Sequence, residues 1–285
     1  MNEMNALNTK IVLDSSADMP REKSIPLACV PLKIITSEKE YVDDESLDVS
    51  GMIADLRSYS GKSSTSCPNP QEFLSAFGEA EYVFCITITG SLSGSNNAAN
   101  IAAREYESLH EGRRVHVIDS LSTGPELVLI ARKIEEEILA GKSFAQAAKS
   151  ADAYSVRTGL IFMLESLKNL ANNGRVSPIA AKMSSVLGIR VVGKASTEGT
   201  LQPLNKCRGS KKALATIWEH MKNEGYQGGE VKIAHCNNEA AAKALTATIK
   251  SEFPEAKTEF YPCRALCSFY AEEGGLLVGF EKGAH

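Results

Sequence analysis

Residues 83–109 read VFCITITGSLSGSNNAANIAAREYESL and decide the fold class. The apolar run Val83–Ile88 is typical of a buried β-strand, and the alanine-rich stretch that ends near Leu109 is typical of a helix. Between them, Thr89–Ser95 forms a loop of hydroxyl side chains and glycines. A strand that leads through a short loop into a long helix predicts a parallel sheet covered by helices.

The same order of strand and helix recurs along the first half of the chain. Short apolar runs at Lys10–Leu13 and Val115–Ile118 predict two further strands, and Glu126–Leu139 predicts a long helix. Strands that alternate with helices form a parallel sheet with helices on both faces. We therefore expect an α/β fold whose N-terminal domain, residues 1–155, contains a parallel sheet flanked by helices.

The second half of the chain has a different pattern. Its predicted strands are Leu160–Leu164, Ile189–Val192, Val231–His235, Glu259–Pro262 and Leu276–Phe280. Its predicted helices lie near Leu167–Asn172, Ile179–Val186 and Leu214–Met221. We expect a C-terminal α/β domain, residues 156–285, with a mixed or antiparallel sheet.

The composition is that of a folded protein that stays in water. The 285 residues are 43% apolar, with a net charge of −4, and this mild acidity argues against nucleic acid as a partner. No apolar run approaches the ~20 residues that span a bilayer, so we expect no stable membrane insertion. The first residues lack the regions of a signal peptide, and the seven cysteines are scattered. We expect a cytoplasmic protein.

Several familiar catalytic and metal-binding motifs fail on their spacing. Gly61–Ser63 looks like the end of a P-loop, but the glycine required five residues earlier is missing. Gly90–Gly94 looks like a nucleophile elbow, but Leu92 stands where the serine should be. Cys263 and Cys267 form half a zinc site at best. The sequence therefore predicts neither a metal nor a cofactor.

Hydroxyl-rich clusters follow the predicted strands. They are Asp14–Ser16, Thr89–Ser95, Asp119–Thr123 and, before a helix, Ser63–Ser66. Loops at the carboxyl ends of parallel strands meet at one edge of the sheet, where ligands normally bind, and helix starts there favour anions. The same residues are also good helix N-caps, so each cluster alone has an ordinary explanation. Together they favour an anion site.

The segment from Ala171 to Lys212 reverses the acidic character of the chain. It contains one acidic residue, Glu198, and eight basic residues: Arg175, Lys182, Arg190, Lys194, Lys206, Arg208, Lys211 and Lys212. Such a segment suits an acidic protein surface, a phosphate or an anionic headgroup. Alternatively, the basic residues are spread over several elements and form no single patch.

Short motifs along nearly the whole chain resemble the DegV family. They are Ile11–Ser15, Thr65–Pro68, Ile86–Thr89, Leu92–Ser95, Val117–Ser120, Gly174–Ser177, Leu187–Arg190 and Cys207–Ala213. Each is weak alone, but their order and spacing are specific. The resemblance implies a two-domain α/β protein that binds one long-chain fatty acid between its domains. It also implies a separate fatty acid kinase subunit, which uses ATP to convert the bound acid to acyl phosphate.

The resemblance also implies a position for the carboxylate. The hydroxyl pair that holds it in the family corresponds to Thr65 and Ser93, with Ser66 and Gly94 beside them. A pair of neutral hydroxyl groups binds a carboxylate reversibly, whereas an arginine clamp would hold it more strongly.

The acyl chain and the partner subunit have candidate residues as well. Arg175 and Arg208 correspond to arginines that look like kinase-docking residues in the family. A C16–C18 tail gains ~0.8 kcal/mol for each buried CH₂ group. Candidate residues for the acyl tunnel are Ile161, Phe162, Met163, Leu164, Met183, Val186, Leu187 and Ile189.

The sequence departs from the family near its C-terminus. Where the family has a histidine beside the carboxylate, in His-Thr-Gly-Pro-Gly, this chain has Tyr270, followed by Glu272 and Glu273. The phenol can donate a hydrogen bond but cannot supply a positive charge. Cys67 also replaces a polar residue common inside the Thr-Ser-x-Pro motif. A different ligand therefore stays open.

Three functions remain at this point. The first is a non-catalytic protein that binds a fatty acid and presents it to a kinase. The second is a hydrolase or phosphotransfer enzyme for a small anion, which would use Asp14, Asp119 and the serine loops. The third is a module that binds a polar anion and has no lipid tunnel.

Overall fold

Three β-sheets and their helices make up the part of the chain described by the computed structural model, residues 3–18, 25–181 and 188–283. The strands are β1 (Thr9–Asp14), β2 (Leu27–Val30), β3 (Lys33–Ile35), β4 (Glu40–Val42), β5 (Ser64–Ser66), β6 (Tyr82–Thr87), β7 (Arg114–Asp119), β8 (Thr158–Leu164), β9 (Ile189–Ala195), β10 (Leu201–Arg208), β11 (Tyr226–His235), β12 (Thr258–Pro262) and β13 (Leu276–Lys282). The helices are α1 (Val49–Ser58), α2 (Pro70–Phe77), α3 (Ser95–Leu109), α4 (Pro125–Leu139), α5 (Phe144–Ser155), α6 (Lys168–Asn172), α7 (Pro178–Ala181), α8 (Ser210–Asn223), α9 (Glu239–Glu252) and α10 (Ala265–Ala271).

The N-terminal part contains a parallel four-stranded sheet in the order β2-β1-β6-β7. Successive residues of a strand point to opposite faces. Val12 and Val83 therefore pack against α2 and α3, while Leu13 and Phe84 pack against α4 and α5. Helices on both faces of a parallel sheet are the arrangement expected from the sequence.

The C-terminal part contains a six-stranded sheet in the order β10-β9-β8-β13-β11-β12. β11 and β12 are parallel and the other neighbouring pairs are antiparallel, so the sheet is mixed. Helices α8 and α9 cover one face. The parallel sheet and this mixed sheet confirm the expected fold class.

Helix α4 connects the two large sheets. Leu127 and Ile130 pack into the core of the parallel sheet, and Val128 packs against the uncovered face of the mixed sheet. Contact with β13 is close, since a Cβ atom at Gly279 would lie 2.7 Å from the backbone nitrogen of Glu126. Helix α4 is therefore buried on two sides and packs between the two large sheets.

A small antiparallel sheet, in the order β4-β3-β5, was not expected from the sequence. The extended chain from Leu27 to Ile35 is divided into β2 and β3 at Pro31, which has no N–H group for a sheet ladder. β4 lies inside an acidic segment that resembles a surface loop. Helices α1 and α10 cover this sheet, so a C-terminal helix packs on N-terminal strands. Within the described residues, no helix has the length and apolar character needed to cross a bilayer.

Candidate ligand-binding site

A cavity of about 250 Å³ lies where the three sheets meet. Loops at the carboxyl edge of the parallel sheet supply Leu32, Ile88, Leu92–Gly94 and Thr123. β5 with its following loop supplies Thr65–Cys67, and α10 supplies Leu266, Cys267, Tyr270 and Ala271. Leu160, Phe162, Leu164, Leu170, Arg175, Leu201 and Leu277 complete the lining.

Strand β8 forms one apolar wall of the cavity. Leu160, Phe162 and Leu164 are buried and line it. Ile161 and Met163, which the sequence predicted in the acyl tunnel, point the other way into the core under α8 and α9. This corrects the tunnel prediction, because side chains alternate between the faces of a strand.

Three other tunnel candidates, Met183, Val186 and Leu187, lie outside the described residues. Ile189 is partly buried at the start of β9 and is absent from the described lining of the cavity.

Polar groups gather at one end of the cavity. The Thr65 Oγ1 and Tyr270 OH atoms are 2.7 Å apart, which is a hydrogen bond. Ser93 Oγ accepts a 3.3 Å hydrogen bond from the Ser95 backbone N–H, so its own proton is available for a ligand. Ser66 and Gly94 lie in the same lining. The structure thus brings the five predicted carboxylate-binding residues to one cavity.

Helix α10 carries Tyr270, and no pattern in the sequence predicted this helix. Its first backbone N–H groups, at Ala265 and Leu266, donate to the buried carboxylate of Asp43 over 3.1 and 3.0 Å. Asp43 belongs to the N-terminal half, so the cap comes from a distant part of the sequence. Burial raises the pKa of Tyr270, and the phenol therefore keeps its proton at neutral pH.

The loop that presents Ser93 is held by a buried carboxylate. Asp14 accepts hydrogen bonds from the Ile88 backbone N–H (2.8 Å), from Ser95 Oγ (2.7 Å) and from Ser16 Oγ (2.5 Å). Burial raises the pKa of Asp14 above its ordinary value, and the hydrogen bonds offset only part of this rise. Asp14 is thus an acceptor beneath the loop and does not line the cavity.

Asp119 plays a similar role on the next strand. Its carboxylate accepts from the backbone N–H groups of Gly90 (3.2 Å) and Leu121 (3.0 Å). The hydrolase alternative needs Asp14 and Asp119 in contact with a substrate, and the described lining of the cavity includes neither.

The two arginines assigned to partner docking lie in different environments. Arg175 is half-buried, lines the cavity and donates from Nε to the Leu92 carbonyl over 3.1 Å. Arg208 is exposed at the end of β10 and is absent from the described lining. The structure brings only Arg175 to the polar end of the cavity.

Several lining residues were not found by sequence reasoning. Alternation within β8 places Leu160 on the same face as Phe162 and Leu164. The sequence does not show which of the two faces of β8 points to the cavity. The remaining ones lie on separate elements that meet only in the fold: Leu32, Ile88, Thr123, Leu170, Leu201, Leu266, Cys267, Ala271 and Leu277.

This chain is similar to proteins of one known family. Residues 8–282 match the family model described as "Uncharacterised protein, DegV family". A DegV domain-containing protein of Streptococcus pneumoniae is 41% identical over 277 residues, which cover 95% of this chain and 98% of that protein.

Two solved structures have the same fold throughout. A DegV family protein from Eubacterium eligens, loaded with heptadecanoic acid, has a TM-score of 0.95 and 39% identity over 96% of this chain and 100% of that one. The Streptococcus pneumoniae Fatty Acid Kinase (Fak) B3 protein, loaded with linoleic acid, has a TM-score of 0.94 and 40% identity over 97% of this chain and 100% of that one. The match over nearly the whole chain and these relatives show that the protein belongs to the DegV family.

Proposed function

We propose that this protein binds one long-chain fatty acid and presents its carboxylate to a separate kinase subunit, without catalysis of its own. The carboxylate would bind Thr65, Ser93 and Tyr270, and the acyl chain would lie along Leu160 and Phe162. The observation that carries the proposal is a single cavity with hydroxyl groups at one end and buried apolar side chains along its walls.

The chemistry of the cavity matches an amphipathic acid. Thr65, Ser93 and Tyr270 supply hydroxyl donors for carboxylate oxygens. Apolar contact supplies the affinity, at ~0.8 kcal/mol for each buried CH₂ group of the tail. The relatives that hold heptadecanoic acid and linoleic acid are 39% and 40% identical to this chain and support this ligand class.

The direction of the ligand follows from burial. Thr65 and Ser93 are half-buried and Gly94 is exposed, whereas Leu164 and Leu266 at the apolar walls are buried. The carboxylate would therefore face solvent, where a second protein can reach it. We assign the ligand to the junction of two domains, residues 1–155 and 156–285.

The partner would dock beside this polar end. We propose Arg208 and Arg175 as docking residues for an acidic surface of an ATP-dependent kinase subunit. Arg208 is exposed and is followed by Lys211 and Lys212, which are also exposed at the start of α8. The mechanism requires no metal or nucleotide on this chain. A cytoplasmic site of action fits the seven cysteines, which are all described and form no disulfide with one another.

Mass spectrometry tests the ligand directly. The mass of the purified protein is measured under native conditions and again after solvent extraction. We expect a mass increment of a C14–C18 fatty acid that disappears on extraction. Protein that carries no lipid, and takes up neither oleate nor palmitate after delipidation, would overturn the proposal.

A double variant tests the location of the site. Thr65→Ala with Ser93→Ala should lose the bound lipid and keep its circular dichroism spectrum. The matched control is Ser108→Ala with Thr248→Ala, because these hydroxyl groups lie on exposed helix surfaces and bond only to nearby carbonyls. Full lipid occupancy in the Thr65/Ser93 variant would show that the carboxylate binds elsewhere.

A further inference from the structure

The hairpin of β9 and β10 makes a contact between the two halves of the chain that the proposed function does not use. Its turn, residues 196–200, is braced from within. The Ser196 hydroxyl accepts hydrogen bonds from the backbone N–H groups of Glu198 (3.2 Å) and Thr200 (3.1 Å), and the Ser196 N–H donates to the Thr200 carbonyl over 2.8 Å. The turn therefore has a defined shape that it can present to another element.

That element is the loop that presents Ser93. Ser91 Oγ donates to the Glu198 carbonyl over 2.6 Å. Gly199 is buried with a φ of +74°, and a Cβ atom there would overlap Thr89 Oγ1 and lie 3.1 Å from Thr89 Cβ. Because no side chain fits at this point, the backbone of the turn lies directly on the loop.

Thr89 connects this contact to the ligand-binding residues. It is fully buried, and its carbonyl accepts hydrogen bonds from the backbone N–H groups of Leu92 (3.1 Å) and Ser93 (3.2 Å). Its Oγ1 accepts a 3.2 Å hydrogen bond from the Ser91 N–H. The residue that Gly199 touches thus sets the conformation of the loop that carries Ser93.

The contact also lies along an edge of the cavity. Leu201, two residues after Gly199, lines the cavity from the hairpin. Ile88 and Leu92, which flank Thr89–Ser91 in the sequence, line it from the loop. Separation of the turn from the loop would part these apolar side chains and open the cavity along this edge.

We propose that the turn, residues 196–200, is a clasp that keeps the cavity closed over the fatty acid, so that release of its contacts with Thr89 and Ser91 limits the rate at which the ligand leaves. This inference rests on the proposed function. Exchange from a closed cavity requires a local opening, and such openings limit ligand release in many proteins. Here the opening must break the Ser91 hydrogen bond and the close contact at Gly199.

The test measures how fast bound oleate leaves. Immobilised protein loaded with radiolabelled oleate is mixed with excess fatty-acid-free albumin, and the label that stays on the protein is followed over time. Gly199→Ala forces the turn away from Thr89, so the dissociation rate should rise at least about tenfold. Ser91→Ala removes one neutral hydrogen bond and should raise the rate about threefold.

Two variants are matched controls. Gly141 has a φ of +69°, and among the described residues nothing lies within 4 Å of a Cβ atom placed there. Gly141→Ala therefore introduces the same kind of backbone strain without an overlap. Ser108→Ala removes an exposed hydroxyl that donates to the Glu105 carbonyl. Both controls should release oleate at the wild-type rate.

The outcomes separate this inference from the proposed function. Wild-type protein that takes up no oleate contradicts the proposed function itself. If wild type binds oleate, and Gly199→Ala and Ser91→Ala release it at the wild-type rate, the clasp is overturned and the fatty acid proposal stands. If Gly199→Ala does not fold, the rate of Ser91→Ala alone supports or overturns the clasp. Equal increases in Gly141→Ala and Gly199→Ala would mean that general loss of stability causes release, and they would also overturn the inference.

Discussion

The two main walls of the cavity are built in different ways. The loop wall, Ile88–Ser95, lies at the carboxyl edge of the parallel sheet and presents Ser93 from an irregular backbone. The strand wall, formed by Leu160, Phe162 and Leu164 of β8, is a regular face of the mixed sheet. The loop wall depends on a buried carboxylate beneath it, and the strand wall depends on alternation and packing.

This difference fits the role proposed for each wall. A hydrogen bond to a carboxylate needs donors fixed in direction, so the loop is held by Asp14 below and by Arg175 from the other half of the chain. Apolar contact with an acyl chain has no direction, and a strand face provides it without special support. Variants should therefore damage the two walls by different mechanisms.

The largest effect is expected beneath the loop wall. Asp14→Ala removes the acceptor of four buried donors, the backbone N–H groups of Ile88 and Ser16 and the hydroxyls of Ser95 and Ser16, and should lower the free energy of unfolding by on the order of 5 kcal/mol. Urea unfolding followed by circular dichroism measures this. Asp119→Ala, the matched control at the end of β7, accepts from a more exposed loop and should lose only about 1 kcal/mol. Equal losses would contradict the role given to Asp14.

The strand wall allows a comparison of two neighbouring residues. Met163→Ala and Leu164→Ala should each cost about 2–5 kcal/mol of stability, because both side chains are buried. Only Leu164→Ala enlarges the ligand cavity, and it should shift the bound fatty acids toward longer or bulkier chains. Mass spectrometry of extracted lipid measures the shift. A changed lipid profile in Met163→Ala would mean that the assignment of faces on β8 is wrong.

The sequence was informative about the loop wall and less so about the strand wall. Hydroxyl clusters after apolar runs are local signals, so the residue pattern alone was enough to predict the Thr89–Ser95 cluster at the carboxyl edge of a parallel sheet, and the family resemblance singled out Ser93 within it. In β8, all residues from Leu160 to Leu164 are apolar because both faces are buried. Such a run carries no sign of which face meets a ligand, so Ile161 and Met163 were assigned to the wrong side.

Helix α10, which carries Tyr270, depends on long-range contacts that no local sequence pattern contains. Helix α10 is only seven residues long and begins on the Asp43 carboxylate, 222 residues before Ala265. Motif comparison therefore identified Tyr270, but the helix that positions it was missed.

The contact between the halves has a predictable pH dependence. Asp18 accepts a 2.8 Å hydrogen bond from the Arg264 N–H at the start of α10, and burial raises the pKa of Asp18 to about 7. A carboxyl whose pKa is higher in the folded state stabilises the fold below its unfolded pKa near 4, and this stabilisation is lost as the pH rises through 7. Between pH 5 and 8, wild type should lose about 3 kcal/mol through this group.

Asp18→Asn isolates that contribution. The amide keeps an acceptor for Arg264 and does not titrate, so the loss of stability between pH 5 and 8 should be smaller in the variant by the same amount. Urea unfolding at both pH values provides the measurement. Asp44→Asn is the control, because the carboxyl of Asp44 is exposed and hydrogen bonds with Ser46 lower its pKa. If Asp18→Asn and wild type lose equal stability, Asp18 is already ionised at pH 5.

The smallest effect is expected at the hydrogen bond between Thr65 and Tyr270, which joins the two halves of the chain at the polar end of the cavity. Tyr270→Phe removes one hydroxyl from the pair with Thr65 and should weaken oleate binding about tenfold, because a hydrogen bond to a charged carboxylate contributes about 1.5 kcal/mol or more. Tyr59→Phe, on the surface beside Ser37, is the control and should bind oleate as wild type does. Since burial raises the pKa of Tyr270, the phenol stays protonated, and the ratio of wild-type to variant affinity should be constant from about pH 6 to 9. A ratio that changed across this range would mean that a different group donates to the carboxylate, and Thr65 with Ser93 would then have to hold it without the phenol.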